Sequence, residues 1–83
     1  MSVKSKEYFL EKYYKLPSLL SEEEFHKFLL EAIEYLNKDI SKLSFGIGSS
    51  KSTIKRWISK KSCPAPIMRI RILRNITNCI IKQ

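Results

Sequence analysis

Between Glu22 and Leu36, apolar side chains fall at Phe25, Phe28, Leu29, Ala32, Ile33 and Leu36. Steps of three and four place all six on one stripe of a helix. Ser21-Glu22-Glu23-Glu24 precedes the stripe as a capping box, in which the serine hydroxyl accepts from the Glu24 amide and the Glu24 carboxylate reaches back. Three acids in the first turn also suit the positive end of the helix dipole. Asn37 ends the element. Upstream, residues 2–15 predict a helix carrying Phe9, Leu10, Tyr13 and Tyr14 in one apolar and aromatic stripe. Pro17 biases Leu16 away from helical angles and stops it. Segment 1–16 reads either as an extra packing helix or as an arm that meets a second subunit, and residues 17–83 form the main domain.

The next two elements are shorter. Asp39 can cap a helix from Ile40 to about Gly46, with Ile40, Leu43 and Ile47 inward and Ser44 small enough for close approach. Gly48 then breaks the chain, because glycine tolerates the left-handed backbone of a tight turn. Ser50 caps a second helix over about residues 51–60. Its inward side is Ile54, Trp57 and Ile58, and its outward side is Ser52, Lys55, Arg56 and Ser59. Two short helices about a glycine turn make a helix-turn-helix pattern. Lys60 to Pro66 is a loop, since two prolines one residue apart stop regular structure. Pro66 can open a last helix running to about Ile81, with an imperfect stripe of Ile67, Ile70, Leu73 or Arg74, Ile76 or Thr77, and Ile80. Residues 68–72 alternate with period two, which also suits a strand; length and context favour helix. The predicted fold is all-α, a small bundle of four to five helices containing a helix-turn-helix. Its core is built on Phe25, Leu29, Leu36, Leu43, Ile47, Ile54 and Trp57.

Charge changes this picture more than composition does. Residues 1–42 carry seven lysines against eight acids, whereas residues 43–83 carry nine lysines and arginines and no acid. Such asymmetry points to a polyanionic partner, nucleic acid first and an anionic membrane surface second. No apolar run approaches the ~20 residues of a membrane span. The polar, charged N-terminus does not read as a signal peptide. Cys63 and Cys79 are expected as reduced thiols of a cytoplasmic protein, nucleoid-associated when bound to DNA. With His26 they lack the paired spacing of a zinc site, so neither metal nor cofactor is expected. His26 is expected at the edge of its helix stripe. A single histidine, no phosphate-cradling glycine loop and no acid in the basic half argue against an enzyme. An 83-residue chain buries only roughly 60–65% of its unfolded surface, so a partner subunit would help it.

A major groove about 12 Å wide admits one α-helix, which a preceding helix must brace. Lys55 and Arg56 are candidates to read guanine edges, with Ser52 and Ser59 beside them on the same face. Ser50, Lys51, Lys60 and Lys61 more naturally grip phosphates, which fixes register without reading sequence. Residues Leu43 to Trp57 resemble the lambda-repressor-like (Cro/C1, Xre) helix-turn-helix family, with Ser44, Ile47, Gly48, Ser50, Thr53, Ile54 and Trp57 at matching places. The stretch from Trp57 to Pro64 is similar to that family's loop after the recognition helix. Two positions depart. Ser49 stands where an aliphatic residue is usual, and Lys60 stands where Gly is frequent, which predicts a longer recognition helix. The resemblance implies sequence-specific binding of double-stranded DNA by a phage, plasmid or bacterial regulator, often dimeric. The alternative is a protein-interaction module, such as an adaptor, antirepressor or antitoxin, on the same fold. Dimer contacts are expected from the last helix, through Ile70, Ile76, Ile80 and Ile81, or from the N-terminal aromatic stripe. RNA or membrane binding through Arg69, Arg71 and Arg74 is a weaker reading, because the aromatics cluster away from those cations and no stacking platform is visible in the sequence.

Overall fold

The computed structural model describes residues 5–16 and 20–82; the predicted helical residues 2–4 and the stop at Pro17 lie outside them. Five helices follow one another: α1 (Lys6–Tyr14), α2 (Glu22–Tyr35), α3 (Ile40–Ile47), α4 (Lys51–Ile58) and α5 (Pro66–Ile81). All regular structure among the described residues is helical, so the segment 68–72 takes the helical alternative. The bundle measures 28 × 28 × 24 Å. The last helix, α5, packs against α1, α2 and α3, while α4 rests on α2 and α3.

Each of the first four helices starts on a side-chain cap. Ser5, Ser21, Asp39 and Ser50 accept from the amides of Tyr8, Glu24, Lys42 and Thr53, each satisfying a donor that the first turn leaves without a partner. Pro66 sits in the first turn of α5, where its missing N–H costs nothing. At the other end of α2 the Lys38 amide donates to Ile33 O at 2.8 Å and the Asn37 amide to Glu34 O at 3.1 Å. This paired closure needs left-handed backbone, which Asn37 adopts at φ 56° and Lys38 continues at 62°.

All six stripe residues of α2 are buried, and Phe25 meets Trp57 of α4 edge-on at 5.7 Å between ring centres. Leu43 and Ile54 are fully buried, and Ile47, the last residue of α3, is half-buried at the margin of the core. Phe9 of α1 is also fully buried, edge-on to Phe28 and Tyr35, so α1 shares the common core. The expected stripe of α1 does not hold throughout: Tyr14 is 75% exposed. Five residues beyond Phe9, it lies about 140° round the helix. A second pin joins α1 to α2, where Lys12 Nζ lies 2.6 Å from Glu31 Oε1 and Tyr8 donates to Glu31 Oε2 at 2.9 Å.

Two further expectations are corrected. Ile67 is 83% exposed instead of buried, because it lies roughly 180–240° round α5 from the side that Arg69, Leu73, Ile76 and Ile80 turn inward. The inward row of α5 is Arg69, Leu73, Ile76 and Ile80, flanked by Ile72 and Thr77. Ile76 and Ile80 are fully enclosed by this chain's own core, which removes them from any dimer surface. Close approach of α3 to α5 depends on Gly46. A Cβ on Gly46 would stand 3.0 Å from Cys79 Sγ, whereas the Ser44 hydroxyl donates to Ser49 O and braces the connection after α3.

Candidate nucleic-acid interface

Three residues, 48–50, connect α3 to α4. Gly48 closes α3 in the left-handed region at φ 72°, and its amide donates to Ser44 O at 2.9 Å. A side chain at that φ would be strained, and Gly48 has open space around it, so backbone angle alone explains the residue.

Helix α4 then divides cleanly. Ile54 and Trp57 are buried and Ile58 is half-buried, while Lys51, Ser52, Lys55, Arg56 and Ser59 are exposed. Lys55 and Arg56 lie in the last turn, where cations suit the negative end of the dipole. Every residue that the sequence assigns to this face is therefore at the surface, and Lys60 and Lys61 extend it. Two hydroxyls are already committed. The Ser50 hydroxyl accepts from Thr53 N and lies 2.9 Å from Thr53 Oγ1, so its role is the cap; its amide is what it has for a phosphate. The Ser59 hydroxyl donates to Arg56 O at 3.2 Å, which leaves it an acceptor toward any ligand.

The helix does not run on to residue 60. Lys60 takes φ 65° itself, and the Lys61 amide donates to Arg56 O at 2.9 Å, closing α4 after Ile58. Lysine thus performs the left-handed stop that glycine usually supplies. The His26 ring on α2 holds this end in place through Nε2, 2.8 Å from Ile58 O. Because that carbonyl is an acceptor, Nε2 carries the proton.

The sequence groups Arg69 with Arg71 and Arg74 as a surface cation, and the structure removes it. Only 9% exposed, it donates from Nε to Pro64 O and from Nη1 to Leu20 O, each at 2.9 Å, and its Nη2 lies 3.6 Å from Glu22 Oε2. It ties the loop after α4 to the start of α2, and so sets where Lys60 and Lys61 stand. Its register with Leu73, Ile76 and Ile80 is the available signal, since steps of four, three and four mark one helix side. His26 offers no comparable signal, because its partner is a backbone carbonyl 32 residues away.

The chain matches no protein-family model, no curated protein and no solved structure. Among the described residues, no group of three or more His, Cys, Asp or Glu side chains comes together to hold a metal ion. None of the described helices is long and apolar enough to cross a membrane. A cleft of about 260 Å³ lies beside the end of α4, with Phe25 and Trp57, His26, Cys63, Lys60 and the first acids of α2 around it. Cys63 and Cys79 are both free thiols.

Proposed function

We propose that the protein binds double-stranded DNA sequence-specifically, as a transcriptional regulator of phage, plasmid or bacterial type, with α4 in the major groove. The reading rests on one observation. An eight-residue helix buries Ile54 and Trp57 and exposes Ser52, Lys55, Arg56 and Ser59 together, three residues after a second short helix that packs on it. In this reading the pair is a helix-turn-helix, as its resemblance to the lambda-repressor-like family implies. Arg56 and Lys55 take guanine O6 and N7, with Ser52 beside them, and Lys51, Lys60, Lys61 and the Ser50 amide take phosphates. The protein acts in the cytoplasm and binds rather than catalyses. If it works as a homodimer on a two-fold site, its α4 helices stand about 34 Å apart. Ile67, Met68, Ile81 and Tyr14 are the exposed large apolar and aromatic groups that the end helices offer such pairing.

Selection from a random duplex pool, followed by binding measurements on the selected and scrambled sequences, tests this. Lys55→Ala with Arg56→Ala should abolish the preference, at about 1–3 kcal/mol for each base no longer read, while retaining weak binding to any duplex. A pool that yields no preferred sequence, or a preference that survives both substitutions, overturns the reading and favours the protein-interaction alternative.

A further inference from the structure

Phe45 is 93% exposed, more than any other large hydrophobic residue described. A single exposed apolar side chain is ordinary in itself. Its surroundings are not. Along α5, Arg71, Asn75, Asn78 and Lys82 follow at steps of four, three and four and so line one side of the helix. Asn75 is half-buried and the other three are exposed. Because Gly46 lets α3 come close to Cys79, the two helices border a cleft of about 460 Å³. Lys42 and Phe45 line it from α3, and Asn75 and Asn78 line it from α5 with Lys82 at the end of that helix; no acid is among the described lining residues.

Two kinds of occupant fit poorly. An apolar partner helix would find one aromatic ring among lysines and amides. A second copy docking here about a two-fold axis would set this lysine-bearing surface against a copy of itself, and like charges placed together are costly. An unpaired nucleic-acid strand meets each group with its complement. A base offers a flat face to an exposed ring, its edge offers donors and acceptors to carboxamides, and its phosphates offer charge to lysines.

We propose that the α3–α5 cleft binds single-stranded nucleic acid, with one unpaired base stacked on Phe45, Asn75 and Asn78 at its edge, and Lys42 and Lys82 on the flanking phosphates. The cations beside Phe45 are Lys42 and Lys82, a different set from the Arg69, Arg71 and Arg74 considered from sequence. The cleft is a different surface from the outer face of α4 and stands whether or not α4 reads duplex DNA.

The test uses the full chain, a labelled oligothymidylate and a labelled duplex, with binding followed by fluorescence anisotropy. Phe45→Ala and Phe45→Leu should each weaken oligothymidylate binding about fivefold or more, the lower end of what one stacked base is worth, while Phe45→Trp retains it. Duplex binding should be unchanged by all three. Lys55→Ala with Arg56→Ala should do the reverse, so failure at one surface is distinguishable from failure at the other. Since Phe45 touches little, helical circular dichroism should match the parent and separate weakened binding from a damaged fold. Oligothymidylate binding indifferent to Phe45→Ala overturns the proposal. So does full binding by Phe45→Leu, which would mark an apolar rather than a stacking interaction. A lower sedimentation mass for Phe45→Ala would make this face a self-association surface and also overturn it.

Discussion

Lys60 carries an unusual combination, a left-handed backbone at φ 65° on a β-carbon-bearing residue that is also part of the basic surface. Left-handed angles cost a non-glycine residue roughly 1–2 kcal/mol, partly offset here by the two amide bonds that close α4. Lys60→Gly should therefore stabilise the fold by about 1 kcal/mol, raising the melting temperature by roughly 4–8 °C. A melt that is unchanged or lower would mean the strain is not there. The sequence predicts a longer helix at this point because lysine, a good helix former, stands where the lambda-repressor-like family frequently has glycine. What stops the helix is distant: His26 donates to the Ile58 carbonyl, and Arg69 fixes the loop beyond. Phe45 differs, since its exposure is legible. It lies two residues from Leu43, about 200° round the helix, and so has to face away from the core if Leu43 faces inward.

At the scale of elements, the caps, the α2 stripe and the two-sidedness of α4 are legible because each is a contest among near neighbours in sequence. Ser21 finds the Glu24 amide three residues on, and Ile54 and Trp57 share a side by spacing alone. The docking of α1 is decided otherwise, by Phe9 in the core and by the Lys12–Glu31 pair. Burial pushes the Lys12 ammonium down, but hydrogen bonds to Glu31 and Tyr8 and the charge of Glu31 outweigh it, holding its pKa above the usual 10.5. A group raised on folding stabilises fully below its unfolded value and loses that contribution as pH climbs through the folded one. The stability gap between the parent and Lys12→Met should thus be constant near neutral pH, about 1 kcal/mol, and on the alkaline side shrink only above about pH 10.5; in acid it shrinks as the Glu31 carboxylate takes up its proton. Urea midpoints across that range measure it. A gap already absent at neutral pH, where both partners are charged, would show that the pair is not what holds α1.

Over the whole molecule, the nine cations of the second half do not act as one patch. Arg69 is used internally against Glu22, and Arg74 donates from Nε to Tyr13. The α4 side keeps Lys51, Lys55, Arg56, Lys60 and Lys61, and the α5 edge keeps Arg71 and Lys82. If about six phosphates are neutralised on duplex DNA, log affinity should fall against log salt with a slope of about −5. A slope near zero would mean the basic half is only solvated.

Residue order alone determined the all-helical plan, the starts of α2, α3 and α4, the bend at Gly48 and the polar outer side of α4. Each depends on backbone preferences and apolar spacing within a dozen residues. Tertiary structure decided which of the cations are spent inside the molecule, where α4 stops, how α1 is held, and that Phe45 sits beside lysines and amides. Those outcomes join groups from 19 to 61 residues apart, such as Lys12 with Glu31, His26 with Ile58 or Arg74 with Tyr13, and only packing brings such partners together.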